Sequence, residues 1–308
     1  MRILIVLPTW LGDSVMLTPT IENLVDLYKD SKITMIGSMA AIEVFKNHPN
    51  VSENYVIDKK LFNLYQTLKG FGEFDLFISF RGSLRAAFIK FFISSKNKYK
   101  FNKKTYSYGH QVQKYNNFLN DSLNIKTIPN NLVLNFESKV KVKNNKLLGI
   151  NPGASYGSAK QWYPKEFAKV AINLANQYDI VILGGPSEEG ISSEIESHLI
   201  KNGVSNYQNL TNKTSIEELI NQVSSLDLFI TGDSGPMHLA AAFQIPTIAI
   251  FGPTKDNETS QWMNKKSVIV KKNLDCQPCM SRTCPLKHHK CMKLIEAPDV
   301  LSAIKELD

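Results

Sequence analysis

The residues Thr231-Gly232-Asp233-Ser234-Gly235 bring two glycines, a carboxylate and two hydroxyls into one short turn, with His238 three positions on. Short apolar runs at 228–231 and 247–251 flank the turn. Both are bounded by Gly and Pro, which predicts strands covered on both faces. A small-residue helix over 237–243, with Ala240, Ala241 and Ala242 in it, lies between them. The strands should therefore be parallel neighbours in an α/β sheet. The turn then sits where a strand ends and a helix begins. Free backbone N–H groups and the positive end of the helix meet there, which suits phosphate. His238 falls one turn into the helix, on a side able to reach an anion at its start. A glycine turn that only reverses the chain would use the same residues.

Other strand-end loops carry chemistry of the same kind. A strand over 3–7 leads into PTWLGD (8–13), and a helix is predicted over 14–28. Asp13 thus projects at the carboxyl edge of the first strand, the usual place for ligands in open α/β sheets, with Gly12 allowing a tight backbone beside it. Capping of the helix is the competing role for Asp13. A strand over 75–80 ends in Arg81, which can clamp a carboxylate or phosphate, or form a surface ion pair. In the second half, NPGASYGSAKQWYPKEF (151–167) follows a strand over 147–150. Gly153, Gly157, Ser155 and Ser158 make a loop able to wrap phosphate oxygens, and Lys160 supplies a point charge. The alternative for Lys160 is an exposed loop lysine. Trp162 is a packing anchor, and Pro164 can start a helix. After a strand over 180–183, Glu188 can accept hydrogen bonds from ribose hydroxyls or serve the start of the next helix.

All four cysteines fall close together, at Cys276, Cys279, Cys284 and Cys291, with His288 and His289 before the last. Two residues between the first pair fits a metal clip; the wider spacings after it are irregular. Either a bound ion or plain reduced thiols is consistent with this. Nothing places a catalytic base beside any of them.

The elements that must position these groups come in two series of strand, loop and helix. Further strands are predicted over 32–36, 55–57 and 207–210, with helices over 40–46, 61–69, 110–123, 215–224 and 297–307. The polar stretch 130–145 suits a linker, so domains are expected at residues 1–140 and 141–308. The last helix is free to pack back on the first. The length of 308 residues accommodates two domains. The composition, 43% hydrophobic and 21% charged, is that of a globular protein. No apolar run approaches the ~20 residues needed to span a bilayer. The N-terminal run reads as a strand rather than a signal peptide, so a cytoplasmic protein is expected. The net charge of +8 suits an anionic partner. Much of it lies in residues 90–114, where Lys96, Lys98, Lys100, Lys103 and Lys104 alternate with Tyr99, Phe101 and Tyr106. This stretch is either a solvated Lys-rich surface loop or a patch for an anionic membrane face or glycolipid. No nucleic-acid-binding motif accompanies it. The absence of G-x-G-x-x-G argues against a dinucleotide oxidoreductase.

Taken together and in order, LPTWLGD, NPGASYGSAKQWYP, LGGPSEE, TGDSGPMHLAAA and IAIFGPT resemble the ADP-heptose:lipopolysaccharide heptosyltransferase family, glycosyltransferase family 9. The cysteine segment and the AKQWYP form of the phosphate loop look more like its type II members than type I. The resemblance implies α/β structure of the GT-B kind, two Rossmann-like domains with parallel sheets facing across a cleft. It implies an inverting transfer from ADP-heptose to a lipopolysaccharide inner-core acceptor, heptosyl-Kdo-lipid A. It implies a peripheral place on the inner face of the inner membrane and no cofactor. By position, Asp13 matches the catalytic base, with Gly12 and Arg81 toward the acceptor. Lys160 matches the donor-phosphate lysine, and Asp233 the acid near the donor sugar. Ser234, Gly235 and His238 match the diphosphate contacts, and Ser155 and Glu188 fall nearby. No Asp-x-Asp triplet is present to hold a catalytic metal, so metal-independent transfer is expected. Another GT-B core transferase such as a type I enzyme, or a non-catalytic nucleotide-binding module, remains the alternative.

Overall fold

A computed structural model describes residues 1–57, 60–137, 145–153 and 156–307. The chain divides into two compact units, Met1–Glu137 and Ser138–Asp308. The expected boundary between residues 140 and 141 lies outside the described residues.

The first unit is a five-stranded parallel sheet. Its strands are β1 (Arg2–Val6), β2 (Lys32–Gly37), β3 (Val51–Val56), β4 (Phe74–Ser79) and β5 (Ser95–Lys100), in the spatial order β3-β2-β1-β4-β5. The intervening helices are α1 (Leu11–Leu27), α2 (Met39–Phe45), α3 (Leu61–Gly70) and α4 (Leu84–Phe92), with α5 (Gln111–Leu123) after β5. Ile3, Leu4, Ile5 and Val6 are fully buried because β1 is central and covered on both sides. The strand order reverses between β1 and β4, which pair with Val6 opposite Ser79. At such a reversal the loops leaving the two strands part to opposite faces and open a crevice. The loop carrying Gly12 and the loop carrying Arg81 both leave from it.

The second unit repeats the plan with six strands. These are β6 (Lys146–Asn151), β7 (Tyr178–Ile182), β8 (Tyr207–Asn209), β9 (Leu228–Gly232), β10 (Thr247–Ile250) and β11 (Ser267–Val270), in the order β11-β10-β9-β6-β7-β8. Helices α6 (Pro164–Leu174), α7 (Glu189–Lys201), α8 (Ile216–Ser224) and α9 (Gly235–Ala242) alternate with them. Short helices α10 (Asp256–Thr259) and α11 (Lys290–Lys293) precede α12 (Ala297–Ile304). The reversal here lies between β6 and β9, with Asn151 opposite Thr231. Trp162 is only 2% exposed. Its ring meets Phe167 at 4.7 Å, and its indole N–H donates to the Ile295 carbonyl at 2.9 Å, so its one polar atom is satisfied in the core.

Four expectations change. Helix α1 starts at Leu11, with Trp10 as its N-cap, so Asp13 lies in the first helical turn rather than capping it. Residues 95–100, read as a surface loop, form the edge strand β5. Their lysines are the charges that protect an exposed edge from pairing with another chain. Lys96 also reaches Asp75 on the neighbouring strand at 2.6 Å. The Lys98 ammonium donates to the carbonyls of Lys90 and Ile93 at the end of α4, so these two charges already serve the fold. Strand β11 carried too short an apolar run to stand out. The last helix stays in the second unit, where Ala297, Val300 and Ala303 join the core around Trp162. Among the described residues no helix is long and apolar enough to cross a membrane.

Candidate active site

The turn after β9 is the most closely tied part of the second unit. Helix α9 begins at Gly235, two residues before the predicted start, because Pro236 in the first turn presets a helical φ. Ser234 is the N-cap, yet its side chain makes no capping bond. Its hydroxyl lies 3.0 Å from the Thr231 hydroxyl and accepts from the Asn151 amide at 3.0 Å. The same amide reaches Thr231 Oγ1 at 3.2 Å. These bonds tie β6 to β9 across the strand reversal and turn the serine side chain away from the helix N-terminus. The first backbone N–H groups of α9 therefore have no side-chain cap, the condition for holding an anion. His238 is the fourth helical residue and is 3% exposed.

Lys160 is not an exposed loop lysine. Its ammonium donates to the Asp233 carboxylate at 2.5 Å and to the Asp233 carbonyl at 3.2 Å. It also stands 4.7 Å from the centre of the Tyr156 ring. Two of its three N–H donors are thus committed, and the remaining one can meet a further anion. Both side chains of the pair are largely buried, at 12% and 7% exposure. Removing either one alone would strand the other charge away from water.

Glu188 is also buried. Its carboxylate accepts from the Gly185 N–H and the Ser187 hydroxyl, both at 2.6 Å, so it closes its own turn. A Cβ on Gly153 would stand 2.4 Å from Glu188 Cγ, so only glycine lets the 151–153 segment lie against that carboxylate. Ser155 lies outside the described residues.

In the first unit, Gly12 is buried and Asp13 half-buried at the start of α1. The Tyr115 hydroxyl from α5 donates to Asp13 Oδ1 at 3.4 Å, a long bond. Burial, and then the Asp13 charge and that bond, push the Tyr115 phenol well above its ordinary range. Arg81 follows β4, and Ser79 holds its backbone on both sides: the Ser79 hydroxyl donates to the Arg81 carbonyl at 2.9 Å and accepts from its N–H at 3.3 Å. The expected surface ion pair is not formed among the described residues. Burial first, and then the facing Arg85, lower its pKa from the ordinary value. A guanidinium placed beside another cation favours an arriving anion.

Asn151, Thr231, Tyr156 and Tyr115 escaped the sequence reading. Asn151 and Thr231 were findable as the terminal residues of the two strands flanking the reversal. Tyr115 was not, because it meets Asp13 across 102 positions of chain.

Two Rossmann-like parallel-sheet units, the second with an anion cradle at its strand reversal, define a GT-B sugar-nucleotide transferase fold. The chain belongs to glycosyltransferase family 9, the heptosyltransferases, whose sequence profile matches residues 61–290. It is 42% identical to lipooligosaccharide heptosyltransferase 2 of Campylobacter jejuni, over 100% of this chain and 98% of that protein. Two solved Escherichia coli structures share the fold. ADP-heptose LPS heptosyltransferase II matches with a TM-score of 0.80 at 19% identity, over 100% of this chain and 98% of that one. Heptosyltransferase WaaC with ADP matches with a TM-score of 0.81 at 16% identity, over 100% of both.

Proposed function

We propose that the protein moves heptose from ADP-L-glycero-D-manno-heptose to the first heptose of the lipopolysaccharide inner core, with inversion at the anomeric carbon. The observation that carries this reading is the uncapped turn from β9 into α9 with Lys160 beside it. Such a turn suits a diphosphate, and a full-length relative at 42% identity is a heptosyltransferase 2. The donor diphosphate rests on the N–H groups of Ser234 and Gly235, with Lys160 and His238 adding charge or hydrogen bonds. Asp233 holds Lys160 in place and keeps a carboxylate near the donor sugar. Asp13 removes the acceptor hydroxyl proton as that oxygen attacks the anomeric carbon. Negative charge grows on the departing ADP, and the cradle stabilises it. Gly12 and Arg81 belong to the acceptor side, where Arg81 meets acceptor phosphate or carboxylate. Ser155 and Glu188 support the donor, Glu188 by shaping the loop that packs on Gly153.

The protein acts at the cytoplasmic face of the inner membrane. The first unit offers the docking side: Lys103 and Lys104 are exposed there, as are the aromatic rings of Phe91 and Tyr108, at 78% and 91%. A cationic surface with protruding rings suits anionic lipid.

The test is mass spectrometry of lipopolysaccharide acceptors incubated with the protein and ADP-heptose. An acceptor ending in its first heptose should gain one heptose, and one ending in Kdo should gain none. Modification of the Kdo acceptor alone would make this a type I enzyme. No transfer to either would defeat the proposal.

A further inference from the structure

Four thiols that the transfer reaction does not use are gathered in one place. Cys276, Cys279, Cys284 and Cys291 line a single cavity of about 20 Å³, with Pro253 and Leu286 among its apolar walls. That space suits one small ion and no organic ligand. All four thiols are free. The backbone around them is bent as a metal knuckle requires: Met280, directly after Cys279, has a left-handed φ of 54°, and Lys287 has one of 56°. The His289 N–H donates to Cys284 Sγ at 3.4 Å, the kind of bond that stabilises a thiolate. The imidazole of His289 is engaged elsewhere, with the Tyr163 hydroxyl at 3.2 Å and the Ala159 carbonyl at 3.0 Å. His288 Nδ1 accepts from the Lys290 N–H. The sulfurs are therefore the available donors. Among the described residues no three such side chains are already closed on a metal, so binding would draw the loop inward.

We propose that Cys276, Cys279, Cys284 and Cys291 bind one thiophilic divalent cation, zinc or iron(II), which fixes the segment backing the donor cradle. Four thiolates fill a tetrahedral shell and leave no open position, so the ion is structural and takes no part in transfer. Each thiol gives up its proton to solvent on binding.

The connection to the cradle is direct. The Arg282 carbonyl accepts from the Ala159 N–H at 3.0 Å, one residue before Lys160. Gly157 has a φ of 154°, and a Cβ there would stand 2.3 Å from that same carbonyl, so the two segments touch backbone to backbone. The Tyr156 hydroxyl donates to the Met280 carbonyl at 2.5 Å, and its ring lies beneath both Lys160 and Arg282. On the other side, the Gln277 amide donates to the Gly252 carbonyl at 2.7 Å, and the Met280 N–H to Pro253 at 2.9 Å. The cysteine segment thus braces the Lys160 loop and the loop after β10 together. The ion-binding half of the proposal stands without the transferase reading; the bracing of donor binding rests on it.

The test is elemental analysis of the full-length protein purified without chelator from cells supplied with zinc and iron, alongside a count of reactive thiols. About one ion per chain is expected, with the thiols shielded until denaturation. The Cys279→Ser/Cys284→Ser variant should lose the ion. Should that variant fail to fold, cobalt(II) loaded into the wild-type protein should give sulfur-to-cobalt charge-transfer bands. Less than about a tenth of an ion per chain, with four reactive thiols and no cobalt band, would overturn the site. Loss of the ion should raise KM for ADP-heptose on the order of tenfold, since small displacements of a positioning group are costly. An unchanged KM in an ion-free, folded protein would overturn the bracing role alone.

Discussion

The two units share a plan but differ in how firmly they hold their chemical groups. In the second, Lys160 is gripped by Asp233 and Tyr156, and Ser234 by Asn151 and Thr231. In the first, Asp13 receives one long bond from Tyr115, and Arg81 faces another cation. The difference suits the proposed division of labour. A leaving diphosphate is stabilised best by donors fixed in advance. A base needs a carboxylate that an incoming hydroxyl can still reach. Changes on the first side should therefore strike turnover and spare the fold, whereas changes on the second should strike donor affinity and stability together.

The sharpest break is Asp13→Ala. Turnover should fall by about 10²–10⁴, the usual worth of a general base, with ADP-heptose binding by calorimetry left nearly as it was. Full activity would remove Asp13 from the mechanism. Lys160→Ala comes next. It should lower kcat/KM for the donor by about 10²–10³. It should also lower the melting temperature, because Asp233 is left as a buried, unpaired charge. An Asp13-like result, with donor affinity intact, would erase the contrast between the units. Gly153→Ala is milder. The new methyl must displace Glu188, costing about 1–3 kcal/mol in chemical denaturation, with KM for the donor raised. A variant as stable as the parent would show that the 151–153 segment yields without consequence.

How much of this was readable beforehand follows the same divide. The turn at Ser234 lay within one contiguous stretch, where Gly, Pro and apolar spacing mark strand, turn and helix. The assembled cradle did not, because Asn151 and Thr231 meet only through the pairing of β6 with β9. Strand β5 was hidden by its lysines: an edge strand needs charge where a buried strand needs hydrocarbon, so the composition that protects it also disguises it. Helix α1 was misjudged by three residues because Trp10, a poor capping residue, holds the N-cap. Arg81 was correctly placed at a strand end, but the like-charged neighbour on the next turn could be weighed only once α4 was known to begin at Leu84.

The finest test of the comparison is Tyr115→Phe. The ring stays, so its packing against Phe80 and Phe101, at 5.7 and 5.4 Å between centres, should keep the fold intact. Only the hydroxyl bond to Asp13 is lost. A hydrogen bond donated to a carboxylate favours its ionised form, so losing one raises that carboxyl's pKa. The base works ionised, and the acid limb of kcat/KM against pH should therefore move upward. A 3.4 Å bond is weak. At about 0.5 kcal/mol it would shift the limb by about 0.4 pH units. The alkaline limb should not move, because burial already holds the Tyr115 phenol protonated well beyond its ordinary range. A downward shift of the acid limb would mean that the tyrosine opposes ionisation of Asp13, and that the first unit holds its base by contacts other than this bond.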